Sequence, residues 1–342
     1  MKIAVIAAGS WGTALALVLN ENEHDVTVWA RRQEQIDEII ANRINQKYLK
    51  DVKIPEEIKF TSSMAEAIRD AEVIVLSVPT QQLKSVLKQM AGLEELSPNA
   101  ILVNVSKGID METLELPSQI VSRYFPSQPF VVLSGPSHAE EVAMKLPTAL
   151  VAASKSRVDA ECVQDLFSNQ YMRVYTNPDV IGVEISGALK NIVALGAGIS
   201  DGLGYGDNAK AALITRGINE MVTLGLLIGA DTATFRGLAG VGDLIVTCTS
   251  LHSRNRRCGI LIGQGMNFES AIETIGMVVE GAYTVKAAYR LMEKVGIDMP
   301  ITSVLYEVLY EGKDARTAVT NLMTRQKKHE IDEYAEKLES WQ

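Results

Sequence analysis

The opening of the chain restricts its fold more than any other stretch. An apolar run at residues 3–7 passes into Ala8, Gly9, Ser10, Trp11 and Gly12, then into a helix-like segment ending near Asn20, then into a second apolar run at 26–29. That order predicts a strand, a tight turn, a helix and a second strand, the unit that closes on a dinucleotide in doubly wound folds. Glycine in such a turn lets backbone N–H groups approach a pyrophosphate, and the helix N-terminus aims its partial positive charge at the same anion. Gly9 and Gly12 take the second and third places of a Gly-x-Gly-x-x-Gly pattern, but the first place falls on Ala7. If that residue needs a positive φ, its Cβ costs about 1 kcal/mol and the turn opens slightly. A secretory leader is the competing reading of the same residues. Gly9, Ser10, Gly12 and Thr13 interrupt the apolar run where a dinucleotide turn wants them, and a second strand follows.

The second strand ends Trp29, Ala30, Arg31, Arg32. No Asp or Glu stands where an NAD site holds the ribose 2′-hydroxyl, and two guanidinium groups are close enough to pair with a 2′-phosphate. The expectation is therefore NADP(H) ahead of NAD(H), with use of both left open.

Further apolar runs at 72–78, 100–105, 130–134 and 149–153 are continuous rather than alternating, and helical segments at 64–70 and 81–90 separate the earlier ones. Continuous runs predict a parallel sheet covered on both faces. Residues 42–61 read as a loop-rich crossover. Beyond Pro178 the spacing turns helical, at 180–198, 208–229, 254–263, 280–295, 301–310 and 315–322. The fold class is thus α/β, an N-terminal Rossmann-type doubly wound sheet followed by an all-helical C-terminal domain. The expected division is a dinucleotide-binding domain at 1–178, a helical substrate domain at 179–330 and a peripheral charged tail at 331–342.

A chain of 342 residues is long enough for two such domains. Its net charge of −9 argues against a general nucleic-acid binder, so any phosphate must be held by a local cluster. The three cysteines, Cys162, Cys248 and Cys258, lack metal-ligand spacing and read as reduced thiols of a cytoplasmic protein. No metal site is expected. No uninterrupted run of about twenty apolar residues suggests a membrane span.

Four stretches carry polar groups at strand ends or helix starts. Lys107 follows the run at 100–105 and so stands on the ligand-facing edge of the sheet. Gly135 and Pro136 follow the run at 130–134, and Ser137 is expected to begin a helix whose free N–H groups face an anion or hydroxyl. His138, with no partner implied by spacing, reads as structural. Helical spacing lines up Gly187, Lys190, Ala194 and Ala197, so one ammonium projects from a strip of small residues that leaves room for a ligand. Partial burial lowers a lysine pKa toward useful proton transfer, which makes Lys190 the candidate catalytic acid. Ser253 reads as an N-cap with Arg254 and Asn255 in the first turn, and three arginines at a helix start oppose the dipole unless an anion is present. Asp243 is placed to orient Lys190 or to accept a bond from a substrate hydroxyl.

Taken in order, Gly9 to Ala14, Ser106-Lys107-Gly108, Ser134 to Ser137, Ala188 to Asn191, Gly240 to Leu244, Ser253-Arg254-Asn255 and Val279-Glu280-Gly281 resemble the bacterial NAD(P)-dependent sn-glycerol-3-phosphate dehydrogenases. The likeness runs from Lys2 to about Leu322. It implies reversible hydride transfer between NAD(P)H and dihydroxyacetone phosphate, giving sn-glycerol 3-phosphate for phospholipid synthesis, in a cytosolic homodimer. It also implies that Ser10, Trp11, Arg31 and Arg32 hold the cofactor, that Lys107 touches both ligands, and that Ala139, Arg254, Val278 and Glu280 adjoin the cofactor. Gly135, Ser137, Asp243, Ser253, Arg254 and Asn255 are implied for substrate, and Lys190 for proton transfer. Ala7 is the departure from the family pattern. Two alternatives share the opening unit: another two-domain hydroxy-acid dehydrogenase, and a non-catalytic NADP(H) sensor, which leaves Lys190 and the Arg254 cluster without a task.

Overall fold

The computed structural model describes residues 1–327 and 330; the expected tail at 331–342 lies outside the described residues. Among the described residues ten strands form: β1 (Lys2–Ile6), β2 (Asp25–Trp29), β3 (Ile44–Asn45), β4 (Leu49–Lys53), β5 (Lys59–Thr61), β6 (Val73–Leu76), β7 (Ile101–Asn104), β8 (Phe130–Ser134), β9 (Thr148–Ala153) and β10 (Met172–Asn177). Eight of them make one sheet in the order β10-β9-β8-β7-β6-β1-β2-β5, while β3 and β4 pair as a separate hairpin. Every residue of β6 and β7 is buried, which is why those runs are continuously apolar. Successive strands build outward from β1 to β2 and β5, then return to β6 on its other side. That reversal opens a crevice at the carboxyl ends of β1 and β6, where ligands bind in open α/β sheets.

The observed sheet departs from the expected one in three places. β8 and β9 pair antiparallel, so the sheet is mixed rather than wholly parallel. The stretch read as a crossover contains the β3–β4 hairpin and the edge strand β5. β10 closes the other edge, pairing parallel to β9, with Arg173 and Tyr175 facing outward. Half-exposed edge strands are short of the apolar runs that announce a central strand, so the sequence reading passed over them.

The helical half begins directly after β10. The Asp179 side chain accepts from the Gly182 N–H at 2.8 Å and caps a helix at Val180–Gly202. This helix is long and apolar enough by composition to cross a membrane, yet it is buried as the core of the second half. Helices Asp207–Leu227, Arg254–Gly263 and Glu280–Val295 pack around it. Glycines set the closest of these approaches. A Cβ on Gly198 would lie 2.0 Å from the Arg256 carbonyl oxygen, and one on Gly259 would lie 2.1 Å from that of Leu195. Backbones in such contact fix Lys190 and Asn191 relative to Arg254 and Asn255.

Candidate active site

A cleft of about 970 Å³ runs along the carboxyl ends of β1, β2, β6 and β7 and under the helical half. At one end stand Gly9, Ser10, Trp11, Arg31 and Arg32; at the other stand Lys190, Asp243, Ser253, Arg254 and Asn255. Lys107, Ser137, Ala139, Val278 and Glu280 also line it. Of the expected residues, Gly12 and Gly135 do not.

The turn after β1 is shaped by the two residues the sequence singled out. Ala7 adopts φ 98°, a conformation that glycine takes without strain, so the about 1 kcal/mol cost of its Cβ applies. Its N–H donates to the Trp29 carbonyl at 3.0 Å, and the Ser77 hydroxyl donates to its carbonyl at 3.0 Å. Gly12 acts by close approach: a Cβ there would meet the Ala7 carbonyl oxygen at 2.2 Å. The helix Ser10–Glu21 starts without a capping side chain and without an acidic residue in its first turn. Open N–H donors, open space beside Gly9 and a long cleft all fit a dinucleotide pyrophosphate.

At the other end two ammonium groups converge on one carboxylate. Lys190 Nζ donates to Asp243 Oδ1 at 2.5 Å and to Thr247 Oγ1 at 2.7 Å. Lys107 Nζ donates to Asp243 Oδ2 at 2.6 Å and to the Gly135 carbonyl at 2.9 Å. Asp243 is 1% exposed and Lys190 6%. Burial alone would raise the Asp243 pKa, but the two lysines hold it below the ordinary carboxylate value, so it is ionised. Burial pushes Lys190 down to about 8; Asp243 opposes that fall and Lys107 adds to it. A buried amine that titrates near neutrality and faces a cleft is equipped to give and take a proton.

Several expectations change here. Small residues beside Lys190 make room for protein rather than ligand: a Cβ on Gly187 would stand 3.3 Å from the Lys107 side chain. Ser137 does not begin a helix. It lies in the turn, its hydroxyl donating to the Gly135 carbonyl at 2.9 Å, and the helix runs Ala139–Ala143 after His138. Gly135, at φ 129°, contributes through that carbonyl. Ser253 does cap the helix Arg254–Gly263, accepting from the Arg256 N–H at 3.2 Å. The cationic cluster, however, is thinner than the sequence suggested, because Arg256 pairs with Asp201 at 2.7 Å. Arg254 and Arg257 remain on the cleft.

Sequence reasoning named Asn255 and Glu280 for the site but not the partners that tie them in, Asn191, Gly281 and Thr80. Asn255 donates to Asn191 Oδ1 and accepts from the Gly281 N–H, both at 2.8 Å, joining three helices beneath the cleft. Glu280 accepts from the Thr80 N–H at 3.2 Å across the two halves, while its Oε2 and Thr80 Oγ1 are buried without partners. Burial raises Glu280 to about 7, against the pull of Thr80 and Arg254. His138 lines the cleft, and its buried Nε2 has no partner. Burial, with Lys190 nearby, lowers its pKa. Asn191 and Thr247 were within reach of helical spacing, lying one residue after Lys190 and one turn after Asp243.

A doubly wound sheet, an anion-receptive turn and a buried lysine–carboxylate pair in one cleft define a nicotinamide-dependent oxidoreductase. The chain belongs to the NAD-dependent glycerol-3-phosphate dehydrogenase family, whose N-terminal domain matches residues 2–160 and whose C-terminal domain matches residues 179–320. It is 53% identical to the glycerol-3-phosphate dehydrogenase [NAD(P)+] of Thermoanaerobacter sp. (strain X514) over 331 residues, 97% of this chain and 99% of that one. It is also 53% identical to the enzyme of that name from Bacillus subtilis (strain 168), over 99% of each chain. The crystal structure of glycerol-3-phosphate dehydrogenase from Coxiella burnetii is 38% identical and superposes with a TM-score of 0.91, covering 94% of this chain and 98% of that one.

Proposed function

We propose that Lys190 is the proton donor and acceptor in the reversible, NAD(P)(H)-dependent interconversion of dihydroxyacetone phosphate and sn-glycerol 3-phosphate. The observation that supports this most is the 2.5 Å contact between Lys190 and Asp243 in a buried setting. When bound, the nicotinamide supplies hydride to the ketone carbon or accepts it from the alcohol. Lys190 holds a proton at Nζ and delivers it to the carbonyl oxygen as negative charge develops there. Asp243 keeps that amine ionised and aimed, and Lys107 lends a second positive charge. Arg254, Asn255 and the capped start at Ser253 hold the phosphate, with Ser137 on the cleft and Gly135 behind it anchoring Ser137 and Lys107 through its carbonyl, so binding energy at a non-reacting group orients the carbonyl of the substrate.

Residues 1–178 hold the dinucleotide in this reading, and residues 179–330 carry the substrate end. Gly9, Ser10, Trp11 and Gly12 form the pyrophosphate turn, Ala139, Val278 and Glu280 close along the cofactor, and Arg31 and Arg32 meet a 2′-phosphate. The last pairing favours NADPH over NADH. The product feeds glycerophospholipid synthesis in the cytoplasm, a setting supported by three free cysteines, and the working form is a homodimer with neither nucleic acid nor membrane insertion among its tasks.

NADPH oxidation with dihydroxyacetone phosphate, repeated with NADH, tests the reaction. Loss of one charge-assisted contact is worth about 1.5–3 kcal/mol, so Arg254→Ala should raise the KM for dihydroxyacetone phosphate about 10- to 100-fold. It should leave slow turnover of unphosphorylated dihydroxyacetone nearly unchanged. Equal losses on both ketones would remove Arg254 from the phosphate.

A further inference from the structure

We propose that Asn45 is a positioning residue for the dinucleotide, holding the pyrophosphate turn from behind through the β3–β4 hairpin. Asn45 is 1% exposed, although it belongs to a short two-stranded ribbon where polar side chains ordinarily reach solvent. Its Nδ2 donates to the Ala8 carbonyl at 3.0 Å and to Thr13 Oγ1 at 2.9 Å. Gln35 Nε2 donates to the same Ala8 carbonyl at 2.9 Å. Two side-chain amides from separate elements therefore converge on one carbonyl of the turn.

The Ala8–Gly9 peptide is trans, so its N–H points away from its carbonyl. Anchoring the carbonyl toward Asn45 and Gln35 turns the Gly9 N–H the other way, and Gly9 lines the cleft. The bond to Thr13 ties the same amide to the first turns of the helix Ser10–Glu21, whose N-terminus carries the remaining donors. Asn45 thereby sets the turn and the helix start as one unit. Ala7 adds to the need, because it holds a positive φ one residue before Ala8 and an alanine resists that conformation. Preorganised donors bind an anion without the cost of ordering them first.

This rests on the reading that the turn carries the dinucleotide, and the experiment separates the two. NADPH and NADH are titrated calorimetrically into the unliganded enzyme for the parent, Asn45→Asp, Asn45→Ala and Gln35→Ala, alongside thermal unfolding and KM for dihydroxyacetone phosphate. The pyrophosphate is common to both cofactors. Asn45→Asp, which keeps the volume but presents oxygen to the Ala8 carbonyl, should weaken both cofactors about 10-fold. Their ratio and the ketone KM should stay within twofold. Gln35→Ala, at a partly exposed position that tolerates truncation, should weaken both about threefold. Unchanged dissociation constants in the Asn45 and Gln35 variants, or a loss confined to NADPH, would overturn the inference and leave the turn assignment standing. A Gly9→Asp variant that binds both cofactors like the parent would overturn the turn assignment and this inference with it.

Discussion

Lys190→Ala should lower kcat for ketone reduction about 10³-fold while NADPH binds within twofold of the parent. General acid catalysis contributes roughly 10²- to 10⁴-fold, and here the same ammonium also faces the developing oxyanion. The cofactor end of the cleft is built by the turn after β1 and by Arg31 and Arg32, none of which leans on Lys190, so binding and turnover should separate. Asp243 keeps Lys107 as a partner at 2.6 Å after the substitution, which limits the destabilisation. Lys190→Arg is the informative companion: it keeps a positive charge but gives up its proton too reluctantly to serve, and should recover little of the loss. Stopped-flow and steady-state rates on variants whose unfolding midpoint is near the parent's decide the matter. A kcat within tenfold of the parent would remove Lys190 from proton transfer.

Asp243→Asn should be nearly as damaging, through a different route. The substitution leaves two ammonium groups facing a neutral amide in a buried site, where breaking such an arrangement costs about 3–5 kcal/mol. Repulsion between Lys107 and Lys190 is relieved by releasing a proton, and burial already inclines Lys190 to do so. Below pH 8 the variant should therefore lack the acid needed for reduction, with kcat lower by about 10²- to 10³-fold and a melting midpoint about 5–15 °C below the parent's. Because Lys190 is the group that has lost its proton, and acid restores it, activity should partly return as the pH is lowered toward 6. A variant that loses thermal stability but keeps kcat would make Asp243 a structural anchor only.

The parts of this arrangement that could be seen in the sequence are those governed by local rules. Gly9, Ser10 and Gly12 follow an apolar run and open a helix; Ser253 precedes Arg254 as a cap; helices Arg254–Gly263 and Glu280–Val295 keep the bounds their spacing predicted. What escaped depends on distant partners. Nothing near Asn45 signals that it turns inward to Ala8, 37 residues earlier. Arg256 looked like a phosphate ligand until Asp201, on the helix Val180–Gly202, proved to hold it. Gly187 read as space for a ligand, whereas tertiary packing sets the Lys107 side chain against it. The antiparallel pairing of β8 and β9 is likewise a matter of topology, since apolar runs carry no direction.

The claim on which the rest depends is that one buried amine, titrating near pH 8, carries the proton. Its sign is fixed by the direction of reaction. Reduction needs the ammonium, which is present below the pKa and lost above it; oxidation of the alcohol needs the neutral amine, and so gains as pH rises. The direct measurement is kcat against pH from 6 to 10 in both directions, for the parent and for residual Lys190→Ala activity. The account predicts that reduction falls about tenfold per unit above pH 8, that oxidation falls in the same way below it, and that both limbs vanish with Lys190. Parent profiles that stay flat through that range, or limbs that survive in the variant, would contradict it.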